Sequence, residues 1–65
     1  MAEDVPLDVQ VAAVKREIQM RHRVYPRWIS LGRLTQKKAD EEIAAMEAVL
    51  VTLQALESKN DLFNR

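Results

Sequence analysis

The residues best suited to chemistry lie in one run, Arg21-His22-Arg23-Val24-Tyr25-Pro26-Arg27-Trp28. It interleaves three arginines with the sole tyrosine and the sole tryptophan of the chain. Guanidinium groups grip carboxylates and phosphates, and aromatic rings stack or fill apolar pockets. The run therefore suits an acidic macromolecular surface, protein or nucleic acid. It does not suit catalysis. His22 is the only histidine, it has no sequence-local carboxylate partner on its own face, and cysteine is absent. No phosphate-cradling Gly-rich loop or zinc-protease motif occurs. Ser30 and Ser58 read as loop or cap residues rather than nucleophiles. A structural zinc site wants four N or S ligands, which one histidine cannot supply. The expectation is a non-enzyme with no catalytic residue, metal ligand or cofactor.

These residues must be held by helices. Leu7, Val11, Val14, Ile18, Arg21, Tyr25 and Trp28 recur at steps of four and three, the signature of one helical face. Met20, Val24 and Leu31 flank that stripe. Asp8 is the candidate N-cap. Pro26 removes one backbone hydrogen bond and crowds the carbonyl of His22. Tyr25 and Trp28 remain in phase with Ile18 across it, so the reading is a kink, with the helix continuing to Leu31. Gly32, the only glycine, falls where a left-handed residue ends a helix. Thr35 is the next N-cap. A second helix spans 36–57, with Ala39, Ile43, Met46, Leu50 and Leu53 on its main stripe and Val49 and Leu56 widening it. Ser58-Lys59-Asn60-Asp61 is expected to break the pattern. The division is an N-terminal arm over 1–7, a helical hairpin over 8–57 and a tail over 58–65.

The fold class is thus all-α: two antiparallel helices, about 8–31 with a kink at Pro26 and 36–57. The chain has 65 residues. Domains below ~70–80 residues seldom bury enough apolar surface alone and use disulfides, metals or oligomerisation. With the first two excluded, a homodimer packing as a four-helix bundle is expected. Its core would comprise Ile18, Ile43, Met46, Val49, Leu50, Leu53 and Leu56. Arg21 interrupts the apolar stripe, so its stem should pack while its head reaches solvent or Glu17, Glu42 or Glu47, and burial of the guanidinium would require an acid nearby.

The formal net charge of zero conceals an asymmetry. Residues 15–38 carry eight bases and one acid, and the remainder carries nine acids and two bases. Arg23, Tyr25, Arg27, Trp28 and Arg33 are the candidate partner-binding residues, because Tyr, Trp and Arg dominate binding hot spots. The alternative is a small dimeric nucleic-acid-binding protein using segment 15–38. The acidic first turns of the second helix weigh against it. No stretch approaches 18 apolar residues, so no membrane span is expected. The acidic Met1-Ala2-Glu3-Asp4 start is unlike a signal peptide, so the expected location is the cytoplasm.

The strings Met20-Arg21-His22-Arg23-Val24-Tyr25-Pro26-Arg27-Trp28, Gly32-Arg33-Leu34-Thr35, Lys38-Ala39-Asp40-Glu41-Glu42-Ile43 and Met46-Glu47-Ala48-Val49 carry a further likeness. Over residues 11–56 the chain resembles small phage and prophage helical-hairpin proteins with the pattern MRxRVYPRW…GR(L/M)T…KA…EI…ME. That group is associated with an anti-quorum-sensing host inhibitor of Mu-like phages. The resemblance implies phage origin, dimerisation and action in the host cytoplasm on a host regulatory or motor protein. The targets it implies are a quorum-sensing transcription activator and a type IV pilus assembly ATPase.

Overall fold

The computed structural model describes residues 4–63, with side chains over residues 4–60. The described residues form two helices and no strand, joined by one short turn. Helix α1 spans Leu7–Ser30 and helix α2 spans Gln36–Phe63. They lie against each other along one seam, giving a body of 49 × 23 × 17 Å.

α1 opens one residue before the expected cap. Pro6 is the flanking residue, in an extended conformation at φ −60 and ψ 153, and no side chain caps the helix. Proline has no N–H to leave unpaired and disfavours helix in the residue before it. Its carbonyl accepts the Gln10 N–H at 3.1 Å. Asp8 instead lies inside the first turn, where a carboxylate complements the helix dipole, and accepts the Val9 N–H at 2.9 Å. Residues 1–3 of the expected arm lie outside the described residues.

Pro26 does not end α1. The helix continues four residues beyond it to Ser30. Val11, Ile18 and Tyr25, seven residues apart, are all buried, so the seam keeps its phase up to the proline. Beyond it the seam passes through half-buried Ile29 rather than Trp28, which stays exposed. Steps of three and four both return to nearly the same helical face; where α2 lies decides which is covered.

The turn is a Schellman motif. Gly32 adopts φ 73, its N–H donates to the Ile29 carbonyl at 3.0 Å, and the Arg33 N–H donates to the Trp28 carbonyl at 2.9 Å. A Cβ at Gly32 would meet nothing within 4 Å. The demand for glycine is thus purely backbone. Gly32→Val is expected to cost about 1–2 kcal/mol, lowering Tm by roughly 5–15 °C, with Gly32→Asn milder. Thermal melts by circular dichroism check this.

Thr35 caps α2 as expected: its Oγ1 accepts the Lys38 N–H at 3.0 Å, and its carbonyl accepts the Ala39 N–H at 3.0 Å. Ala39 is the most deeply buried of the core residues, 2 % exposed, which lets the two backbones approach closely near the turn. Ile43, Met46, Leu50 and Leu53 continue the seam, half-buried. The expected end at Glu57 is corrected by the structure, in which α2 runs on to Phe63. Ser58-Lys59-Asn60-Asp61 contains neither Gly nor Pro, and its modest propensity penalties do not stop an established helix. Asn64 and Arg65 of the expected tail lie outside the described residues.

Candidate partner-binding site

Arg23 and Arg27 stand one helical turn apart on α1, about 6 Å along its axis. Arg27 falls in the last turn, where a cation complements the helix dipole. The Schellman turn folds the chain back, so Arg33 joins them. Together with Val24, Trp28 and Leu31 they line one open depression of about 530 Å³. Four of the five expected partner-binding residues, Arg23, Arg27, Trp28 and Arg33, therefore come together at the hairpin tip.

The fifth, Tyr25, sits differently. It is 8 % exposed and belongs to the helix–helix seam. Its ring centroid lies 5.6 Å from that of Trp28, with the planes inclined at 38°. That geometry suits a favourable tilted aromatic pair. Tyr25 thus supports the Trp28 ring from beneath, while Trp28 is 42 % exposed. Val24 and Leu31 complete the apolar floor. Val24, Trp28 and Leu31 repeat at steps of four and three, a second short stripe that the dominant stripe beside it masks in the sequence.

The ion pairs among the described residues leave this depression positive. Arg21 Nε donates to Glu17 at 3.1 Å, Arg21 Nη1 reaches Glu42 at 3.5 Å, and Lys38 Nζ lies 3.6 Å from Glu42. Arg23, Arg27 and Arg33 enter none of these pairs. Arg21 meets the expectation that its head would find Glu17 or Glu42, and its side chain is only 21 % exposed. The hydrogen bond to Glu17 raises its pKa above the ordinary guanidinium value, burial works against this, and the charges of Tyr25, Glu17 and Glu42 add to the rise.

The residues expected at a dimer core divide into two groups. Ile18 is buried and Ile43, Met46, Leu50 and Leu53 are half-buried along the α1–α2 seam, whereas Val49 and Leu56 remain exposed. Glu42, Val49 and Leu56 recur every seven residues on α2, as Val14 and Arg21 do on α1. The Arg21–Glu42 pair bridges the helices along this side, so these residues share one face of the hairpin.

A second groove of about 500 Å³ opens between the helices near the turn. His22, Asp40 and Glu47 lie on its walls with Pro26, Ile29 and Ile43. Among the described residues no three His, Cys, Asp or Glu gather as a metal-binding group, and no helix is long and apolar enough to cross a membrane. The chain matches no protein-family model, no curated protein and no solved structure.

Proposed function

We propose that this chain is a non-enzymatic, protein-binding homodimer in which two hairpins form a four-helix bundle. Each copy presents the Arg23–Arg27–Trp28–Arg33 corner to a host protein and blocks a functional face of it. The observation that carries this reading is the convergence of three arginines that enter no ion pair among the described residues around an exposed, core-supported tryptophan. Arginine and tryptophan combine large contact area with directional polar tips and dominate binding hot spots.

The shape supports the dimer. A compact 65-residue globule has a radius of gyration near 11 Å; this hairpin has 15.0 Å. A compact chain of 7.5 kDa exposes about 4,200 Å²; this one exposes 5292 Å². The excess is comparable to the ~800 Å² that each partner buries in a stable interface. The face bearing Val49 and Leu56 is the surface that a second copy would cover.

The resemblance to small phage and prophage hairpin proteins supports a phage-encoded modulator acting in the host cytoplasm. Its targets would be a quorum-sensing transcription activator, a pilus assembly ATPase, or both.

The test is affinity capture from bacterial lysate, with and without nuclease treatment, followed by mass spectrometry, using the tagged chain and its Arg23→Gln/Arg27→Gln/Arg33→Gln variant. The expected result is one stoichiometric host protein that survives nuclease and is lost at least about tenfold in the variant, whose circular dichroism stays unchanged. Equal capture by the variant refutes the site. Nucleic acid recovered in place of a protein refutes the function in favour of nucleic-acid binding by segment 15–38.

A further inference from the structure

We infer that the depression at the hairpin tip recognises an extended acidic peptide segment that presents carboxylates at alternate positions and one large apolar side chain on the same side of the strand. This rests on the partner-binding reading above and specifies the chemistry of the partner.

Three features lead to it. The first is charge. Arg23, Arg27 and Arg33 surround one depression and enter no ion pair among the described residues. Three like charges held close repel one another, and an anion relieves that repulsion while satisfying the guanidinium donors. The second is the floor. Trp28 and Leu31 are 42 % and 54 % exposed beside Val24, so the anion must carry an apolar group to use the surface offered. Free phosphate or sulfate would leave it wet.

The third feature is spacing. Alternate residues of an extended strand lie about 7 Å apart on one side, close to the ~6 Å rise between Arg23 and Arg27. Arg33, returned by the Schellman turn, closes the third side of the site. A segment crossing the site can therefore place carboxylates two residues apart on Arg23 and Arg27, and a Phe or Leu two residues further along, on the same side of the strand, against the apolar floor.

The same features disfavour nucleic acid. The three arginines occupy one corner of a body 49 Å long. The first turn of α2 carries Lys37 and Lys38 and no acid, but the second carries Asp40, Glu41 and Glu42, which oppose a phosphate backbone continuing along α2. A phosphodiester chain wants a continuous basic track, and a short acidic segment does not.

Trp28 is the only tryptophan, so its emission and its indole N–H resonance report occupancy of this site alone. The experiment titrates the full chain with a ten-residue peptide bearing Asp or Glu at alternate positions and one Phe in the same alternating series, and with its Asn/Gln twin. A single-stranded oligonucleotide of the same formal charge is the third probe. The expected result is a saturable change at Trp28 with the acidic peptide, weakened by salt. The neutral twin should bind about tenfold more weakly. Arg27→Gln and Arg33→Gln should each weaken the acidic peptide by about three- to tenfold without loss of helicity.

Equal binding of the neutral twin, silence of both Trp28 signals, or tighter binding of the oligonucleotide overturns the inference. If the acidic peptide fails while lysate capture of a host protein still depends on the three arginines, the partner-binding function stands and only the acidic-segment chemistry falls. If that capture also fails, both fall.

Discussion

Ile18→Asp is expected to abolish the folded state. Ile18 is among the few buried apolar residues of the hairpin, with Val11, Tyr25 and Ala39. Truncating a buried Ile to Ala typically costs about 2–5 kcal/mol. An aspartate adds an unpaired carboxylate in the seam, and the acids that flank Arg21, Glu17 on α1 and Glu42 on α2, can only repel it. Arg21 is already engaged by both of those carboxylates. The total exceeds what a domain of this size has to lose. Circular dichroism should show loss of most helical signal, and size-exclusion chromatography an expanded chain. Leu50→Asp and Leu53→Asp act on the facing side of the seam and should behave alike. Val51→Asp is the control: Val51 is 66 % exposed on α2, and surface changes of this kind stay within about 0.5 kcal/mol. A folded Ile18→Asp dimer would refute the seam.

Dilution is expected to melt the protein. If the second copy completes the core, stability is inseparable from protomer concentration. A 100-fold dilution removes about 2.7 kcal/mol of association free energy, which for a folding unit of two such chains lowers Tm by roughly 10 °C. Val49→Asp and Leu56→Asp should reproduce the effect at fixed concentration, since both side chains are exposed in the single hairpin and lie on the face assigned to the second copy. The checks are melts over a dilution series and analytical ultracentrifugation of the variants. A Tm independent of concentration, with sedimentation as a stable monomer, would exclude the four-helix bundle.

Much of the architecture was legible because helices, caps and turns are written in local chemistry. The step-four, step-three stripe places Val11, Ile18 and Tyr25 on one face, and all three are buried. Gly32 and Thr35 mark the turn, and both make the backbone contacts that their types imply. The misplacements were equally local in cause. Asp8 competes with Pro6 for the start of α1, and proline is as good a boundary as a capping side chain. α2 runs past the polar stretch at residues 58–61 to Phe63, because polar residues weaken a helix without breaking it. Seven-residue spacing alone could not assign Trp28, since Ile29 fits the same seam one residue later.

The candidate site was legible in residue type and only partly in position. Arginine interleaved with aromatics already marks a candidate binding surface. That Tyr25 turns inward while Trp28 turns outward depends on where the second helix lies.

The sequence by itself determined the helices, the turn between them, the polarity of the two charge segments and the need to cover surplus apolar surface. These follow from side-chain periodicity and backbone preference, which act over a few residues. Only the tertiary structure decided which of the candidate acids Arg21 meets and which arginines gather at the tip. Arg21 meets Glu42 across the seam from 21 residues away, while Arg33 is carried by the turn to the side of Arg23 and Arg27. Charge neutralisation and pocket formation depend on distances through space, and those exist only once α2 has packed against α1.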